Sequence, residues 1–304
     1  MTGNTKGSWD DLKAWPLIGL HAIVTQDGKV LTFGTDSRGM QGGQFIYDVY
    51  DPVTGTHQTL ANTTPTDIFC SAAIILPGTD KILIGGGDRR PLGGTNKGVS
   101  DVNEFDSSDL SLEASAVGDM HFARWYPSMV SLPTGQIVIL GGTDENGRGV
   151  STPEIFTPGE GWRKLDGATD TDLGAASLYP RAFLNKDGQV IYFATSKGND
   201  NKIEVMSLDP SGNGSLTEIG TLPFAFSWDA PAIMYEAGKL LVMASNGDLW
   251  TMDINGPTPV FEKSGALSQD RNWSDLTVLA DGTVLVNGGT SVGNKESGAD
   301  KTAA

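Results

Sequence analysis

One cysteine and three histidines bound the chemistry open to this sequence. The 304 residues hold a single cysteine, Cys70, so no intrachain disulfide can form. His21, His57 and His121 lie far apart, and no CxxC, HExxH, P-loop or GxSxG pattern occurs. Zinc, nucleotide and serine-hydrolase chemistry lose their usual support. What remains is a thiol, phenols and a carboxylate at equivalent places of a repeated sequence: Cys70, Tyr126, Tyr179 and Asp229. Such a set is read either as a redox site or as plain packing. A lone cysteine in a strand is usually a small buried hydrophobe, so its meaning depends on what the repeat places beside it.

The repeat is an apolar strand, a turn with Gly, a second apolar strand and often Gly-Gly. It runs through HAIVTQDGKVLTFG (from His21), SAAIILPGTDKILIGGG (from Ser71), PSMVSLPTGQIVILGG (from Pro127), PRAFLNKDGQVIYFA (from Pro180), APAIMYEAGKLLVMA (from Ala230) and DLTVLADGTVLVNGG (from Asp275). The apolar anchors after each turn are Val30, Ile82, Ile137, Val190, Leu240 and Val284, at spacings of 52, 55, 53, 50 and 44 residues. Five of these units carry a second hairpin, as in FIYDVYDPVTGTHQTL and PEIFTPGEGWRKL. Two hairpins per repeat at a period near 50 predict four-stranded antiparallel sheets, and so an all-β, kelch-type β-propeller.

About six blades of a probable seven are expected, in a single domain over residues 1–304. The predicted blades are 16–66, 67–122, 123–175, 176–225, 226–269 and an incomplete 270–304. After Asn287-Gly288-Gly289 the tail lacks a strand pattern, which reads as a chain truncated from a longer protein. The alternative is a six-bladed ring closed by an N-terminal strand around Trp9–Ile18. Eleven positions before the anchors lie Gly19, Tyr126, Tyr179, Asp229 and Trp273, and twelve before Ile82 lies Cys70. First strands line a propeller's channel, so these residues should ring one mouth of it, with Cys70 near Tyr126. Trp228 is expected at the same ring.

Around these positions the sequence resembles the copper-radical oxidases, a family that includes galactose oxidase and glyoxal oxidase. The motifs are TDIFCSA (Thr66–Ala72), ARWYPS (Ala123–Ser128) and YPRAF (Tyr179–Phe183), each at a blade start, and they are closer to the glyoxal oxidase branch. The resemblance implies that Cys70 and Tyr126 form a thioether cofactor, with Tyr126 as radical and copper ligand. It implies oxidation of an aldehyde, a primary alcohol or a carbohydrate by dioxygen, giving hydrogen peroxide, in a secreted or extracytoplasmic protein. A thioether beside the phenol oxygen donates electron density and eases oxidation of the tyrosine; the cofactor carries the hard chemistry. Tyr179, Arg181 and Asp229 are the candidate substrate contacts, and YPRAF reads equally as blade packing with an Arg–carboxylate pair.

Two features depart from the family. No Tyr-His pair occurs, and ArgAsnTrpSer (Arg271–Ser274) puts Trp273 and Ser274 where Tyr and His would stand. This chain then carries only the Cys–Tyr half of the site. Asp144 stands where galactose oxidase has a tryptophan stacked on the cross-link, so shielding must come from another group. His21 should hydrogen-bond within the propeller, and His57 should be exposed in a polar turn. His121, roughly 17 Å from Tyr126 along an extended strand at about 3.3 Å per residue, is not assigned to copper.

The net charge of −16 argues against nucleic acid or an anionic membrane as partner. No run of 18 apolar residues occurs. The 40 glycines are about 13% of the chain against an average near 7%, which suits a turn-rich β protein. The competing function is a non-catalytic kelch propeller that binds a glycan or a protein at the same mouth, with Cys70 a free thiol.

Overall fold

Glycine at each first turn sets the hairpins. Gly28, Gly78, Gly135, Gly188, Gly238 and Gly282 all take φ between 70° and 84°, the left-handed region that only glycine enters at no steric cost. The computed structural model describes residues 11–42, 45–89, 96–171, 173, 178–195, 203–227, 229–268 and 271–291.

The first sheet is β1 (Leu17–Val24), β2 (Val30–Asp36), β3 (Ile46–Asp51) and β4 (Thr56–Ala61). The second is β5 (Ala72–Ile75), β6 (Lys81–Gly85), β7 (Val102–Asp106) and β8 (Ser111–Ala114). The third is β9 (Ser128–Ser131), β10 (Ile137–Leu140), β11 (Glu154–Thr157) and β12 (Gly161–Lys164). The fourth is β13 (Ala182–Leu184), β14 (Val190–Thr195), β15 (Ile203–Asp209) and β16 (Ser215–Thr221). The fifth is β17 (Ala232–Glu236), β18 (Lys239–Met243), β19 (Asp248–Asp253) and β20 (Val260–Ala266). A two-stranded hairpin, β21 (Asn272–Val278) and β22 (Val284–Thr290), follows. Each sheet pairs its strands in chain order, all antiparallel.

The fold is an all-β propeller, and the blade count corrects the expectation. Among the described residues there are five complete four-stranded blades, not six, and a two-stranded hairpin. Among the described residues no second pair of strands joins the hairpin; residues 292–304 lie outside the described residues. Among the described residues no N-terminal closing strand is found either. Residues 11–15 carry no strand, β1 pairs only with β2, and β21 pairs only with β22. Trp9 lies outside the described residues.

Strand alternation makes the core. Successive side chains point to opposite faces of a sheet. In β6, Ile82 and Ile84 therefore pack on Leu31 and Phe33 of the first blade, while Leu83 packs toward Ile137 and Ile139 of the third. In β10 and β14 the same switch occurs: Val138 meets Val190 and Tyr192, and Ile191 and Phe193 meet Leu240 and Val242. Four apolar layers thus join the five blades in series. Ile82, Ile137, Val190 and Leu240 are at most 1% exposed, each stabilising by roughly 1.5–3 kcal/mol relative to exposure. These are four of the six predicted anchors; Val30 and Val284 are half-buried. The stacking leaves the blade starts at one end of the channel.

Candidate functional site

The backbone at the blade starts takes a conformation that non-glycine residues rarely adopt. Cys70, Tyr126, Tyr179 and Trp273 have φ of 58°, 62°, 46° and 62°. Such residues cost of order 1–3 kcal/mol each and persist where the surroundings over-determine them. Here backbone bonds between blades do so. Tyr126 N–H donates to Cys70 O at 2.9 Å, Tyr179 N–H to Tyr126 O at 2.8 Å, and Trp273 N–H to Asp229 O at 3.1 Å. Each of these residues hangs from the carbonyl of the ring position one blade earlier. Gly19 instead sits inside β1, beside a register shift. Trp228 lies outside the described residues.

The side chains converge as the register predicted. Cys70 is 3% exposed, and the hydroxyls of Tyr126 and Tyr179 both hydrogen-bond to its sulfur. Burial pushes the thiol pKa up to about 12; the two hydroxyls oppose the shift, and the charges of Asp88 and Asp67 add to it. At neutral pH the thiol is protonated and a poor nucleophile. Burial also raises both phenols above their ordinary value. The Tyr126 ring meets the edge of Trp125 at 4.1 Å and the Tyr179 ring at 4.6 Å, nearly perpendicular. Those two rings cover the Tyr126 ring, at the place where Asp144 supplies no aromatic. Asp144 caps a turn, accepting the backbone N–H of Asn146 and Arg148.

Tyr179 is the hub of a second contact set. Its hydroxyl lies 3.3 Å from His21 Nε2 and 3.4 Å from Ser71 O. His21 stacks on Phe33 at 4.7 Å, and burial draws its pKa down to about 4. The imidazole is therefore neutral at pH 7, and Nε2 can accept the Tyr179 proton. His21 comes from the first blade, Cys70 leads into the second, Tyr126 into the third and Tyr179 into the fourth.

Two polar clusters position these turns, and sequence reasoning missed both. Arg124, two residues before Tyr126, is fully buried. It donates to Gly141 O at 2.8 Å, Thr152 O at 2.6 Å and Glu154 Oε1 at 3.1 Å. Glu154, also fully buried, further accepts the backbone N–H of His121 and Phe122. Arg271 repeats the arrangement two residues before Trp273, donating to Gly288 O at 3.1 Å. An arginine two positions before a ring aromatic, followed by Gly-Gly, was the available signal. Before Cys70, the amide of Gln41 donates to Asp67 at 2.6 Å and Asp88 at 2.7 Å, and Asp67 accepts Phe69 N–H.

The other expected residues fall out differently. Arg181 donates from Nε and Nη2 to Ala230 O at 3.1 and 2.9 Å, and from Nη1 to Tyr179 O at 2.7 Å. These bonds clamp the fourth blade to the fifth. Asp229 lies close enough to stabilise the Arg181 cation, and its Oδ1 is enclosed with no hydrogen-bond partner. A cavity of about 320 Å³ opens below the ring, lined by His21, Ser71, Ser128, Tyr179, Arg181 and Phe183 among others. His57 is not exposed in a turn: it lies in β4, half-buried, 2.7 Å from the buried Asp48, because Trp15 and Tyr50 pack on its ring. His121 pairs with Glu154 at 2.9 Å.

Copper was tested against this donor set. Among the described residues no three His, Cys, Asp or Glu side chains converge. His57 and His121 are tied to carboxylates elsewhere, and His21 reaches Tyr179. Tyr126 offers one oxygen donor, so these residues do not fit a complete copper centre, which favours nitrogen and oxygen ligands in a tetragonal set. Among the described residues no helix is long and apolar enough to cross a membrane.

Comparison with known proteins agrees with the ring motifs. No protein-family model matches the chain. Galactose oxidase of Gibberella zeae is 24% identical over 93% of this chain and 44% of its own length. Aldehyde oxidase GLOX of Vitis pseudoreticulata is 25% identical over 91% of this chain and 58% of its own length. The chain thus spans about half the length of these relatives. A solved fungal alcohol oxidase of the AA5 family, in complex with copper, superposes with a TM-score of 0.77 at 18% identity, over 98% of this chain and 64% of that one. Over nine-tenths of its length the chain is thus similar to a galactose oxidase and an aldehyde oxidase, at 24–25% identity.

Proposed function

We propose that the chain is one propeller domain carrying the Cys–Tyr half of a copper-radical oxidase centre. The observation that supports this is the Tyr126 hydroxyl against the buried Cys70 sulfur at the channel mouth. The protonated thiol is unsuited to nucleophilic catalysis, whereas a thiol held on a phenol suits oxidative coupling. In that coupling Sγ joins the ring carbon next to the phenol oxygen. The thiol and the ring carbon each lose one hydrogen, and dioxygen takes up both, with their electrons, as hydrogen peroxide. The thioether then makes Tyr126 easier to oxidise, and Trp125 and Tyr179 exclude water from its ring. Copper, if held by Tyr126 together with donors from outside the described residues, would supply the second one-electron acceptor that such oxidations need. Primary alcohols, aldehydes or carbohydrates are the proposed substrates, with dioxygen as co-substrate, in a secreted protein.

Of the proposed substrate contacts, Asp229 and Tyr179 keep polar atoms near the channel, while the described donors of Arg181 go to main-chain carbonyls. A glycan- or protein-binding propeller is the second reading; that no three His, Cys, Asp or Glu side chains converge among the described residues favours it. Peptide mapping after exposure to copper(II) and air, under reducing conditions, separates the two. A Cys70–Tyr126 peptide pair lighter than its sum by the two lost hydrogens supports the oxidase. A Cys70 that remains alkylatable after unfolding supports the binding propeller.

A further inference from the structure

A buried phenol that loses an electron must also lose its proton, and the proton needs a base at the oxygen. Tyr179 has one, brought from another blade. We propose that Tyr179 and His21 form a redox-active tyrosine–imidazole pair, a one-electron site beside Cys70 that works without the Cys70–Tyr126 thioether. Its reaction partner is an outer-sphere one-electron oxidant that reaches the channel mouth.

The Tyr179 hydroxyl meets His21 Nε2 at 3.3 Å, Ser71 O at 3.4 Å and the Cys70 sulfur. A main-chain carbonyl does not hold a proton, and the thiol already carries its own. The imidazole nitrogen is the base of the three. His21 stacks on the fully buried Phe33 at 4.7 Å, with 17° between the rings, which fixes the plane of the imidazole. Burial draws its pKa down to about 4, so the ring is neutral at pH 7 and, in the Nδ1–H tautomer, Nε2 has a lone pair for the proton. An imidazolium of that pKa is still a far weaker acid than a phenol radical cation, so the transfer runs from Tyr179 to His21. In the step Tyr179 gives one electron to the oxidant and its hydroxyl proton to Nε2. The O–H bond breaks, an N–H bond forms, and a neutral phenoxyl is left beside an imidazolium. The electron crosses rings in contact: Tyr179 on Tyr126 at 4.6 Å, and Tyr126 on the half-buried Trp125 at 4.1 Å. Returning the electron returns the proton, so the pair is reversible. The two residues are 158 positions apart in the chain, and the ring of blades brings them together.

The test uses the copper-free chain with Cys70 reduced. Tris(bipyridine)ruthenium(III), generated by a laser flash and an electron-accepting quencher, is the oxidant. Phenoxyl formation is followed by transient absorbance and by electron paramagnetic resonance after freeze-quenching. Tyr179→Phe should erase a fast-forming part of the signal, the remainder belonging to the other tyrosines. His21→Gln keeps a polar side chain but has no base; it should slow the fast part at least roughly 100-fold, the usual scale of general-base assistance. In His21→Ala, added imidazole should restore it, because the vacated place adjoins a cavity of about 320 Å³. A residue that merely held Tyr179 in place would not be rescued by a free base. The fast part of the wild-type signal should also form more slowly in deuterium oxide, a reading that needs no variant. Melting curves check that each variant is folded. A fast signal unchanged in Tyr179→Phe overturns the assignment. So does a His21→Gln rate equal to wild type, a His21→Ala chain that ignores imidazole, or a wild-type rate equal in both waters. None of these readings involves the Cys70–Tyr126 cross-link, so the oxidase reading and this one can fail separately.

Discussion

Arg124→Met gives the most direct measure of how tightly the site is built. The side chain is fully buried, as is its partner Glu154. Its guanidinium satisfies two main-chain carbonyls and one carboxylate oxygen at 2.6–3.1 Å. Methionine fills similar space and donates nothing. Removing one member of a buried ion pair costs about 3–5 kcal/mol, chiefly because the other charge is stranded. Glu154 keeps three donors, from His121 N, His121 Nδ1 and Phe122 N, so the lower end, about 3 kcal/mol, is expected. The assay is equilibrium urea unfolding followed by tryptophan fluorescence. The double variant Arg124→Met/Glu154→Gln removes the stranded charge and keeps one acceptor oxygen, enough for one of the two backbone N–H groups, which Glu154 accepts on different oxygens. It should regain about 1 kcal/mol or more over the single variant, a coupling typical of contacting residues. A single-variant cost below about 1 kcal/mol, or a double variant less stable than the single, would refute the reasoning.

Other consequences can be checked independently. His21 has its pKa lowered to about 4 by burial, below the unfolded value near 6.5. The unfolded chain then binds more protons between these values, so His21 favours the fold fully above pH 6.5 and loses that contribution as pH falls toward 4. The stability difference between wild type and His21→Phe should shrink by about 1–3 kcal/mol from pH 7 to pH 4.5 in urea titrations; a constant difference contradicts the buried neutral imidazole. Cys70, with its thiol pushed up to about 12, should react with iodoacetamide at pH 8 at least roughly 1,000-fold slower native than unfolded, and comparable rates would show the sulfur to be accessible. Gly86→Ala puts a methyl 2.3 Å from Arg124 O at φ +73°; a loss of about 2 kcal/mol or more is expected, and a melting temperature equal to wild type would deny the close approach.

The sequence was informative wherever a periodic signal existed. Six glycine turns and the six anchors from Val30 to Val284 located every first hairpin, because period-two burial and positive φ leave marks on residue type. Counting back from those anchors also placed Cys70, Tyr126 and Tyr179 together. Blade number was less legible: the half-repeat from residue 270, expected as an incomplete sixth blade of a probable seven, is a two-stranded hairpin beside five complete blades among the described residues. His57 was misplaced because a polar stretch, THQT, reads as a turn; Trp15, distant in sequence, buries its ring. Arg124, Glu154, Gln41, Asp67 and Asp88 left no periodic trace, since a buried polar cluster is assembled from several blades and its members look like ordinary surface residues singly. Arg181 was weighed both as a substrate contact and as blade packing; its described donors go to Ala230 O and Tyr179 O, and sequence alone does not show those main-chain partners.

The left-handed backbone at Cys70, Tyr126, Tyr179 and Trp273 lets the ring present side chains at the channel mouth. A glycine would relax each of these turns, but it would leave the mouth without side chains. With φ near 60°, the amide of Tyr126 or Tyr179 points back to the preceding ring residue. The cost of the turn is offset by hydrogen bonds between blades, not within one. A substitution at one ring position is then felt at the next through Cys70 O or Tyr126 O. Arg124 and the Gln41–Asp67–Asp88 cluster hold the segments just before Tyr126 and Cys70, so the conformation does not depend on the ring side chains themselves. The scaffold is thereby separated from the reactive groups. Tyr126→Phe should accordingly leave the main-chain bond to Cys70 O intact while removing the phenol oxygen. If that variant instead lost cooperative unfolding, the turn would be held by the Tyr126 hydroxyl and not by the clusters behind it.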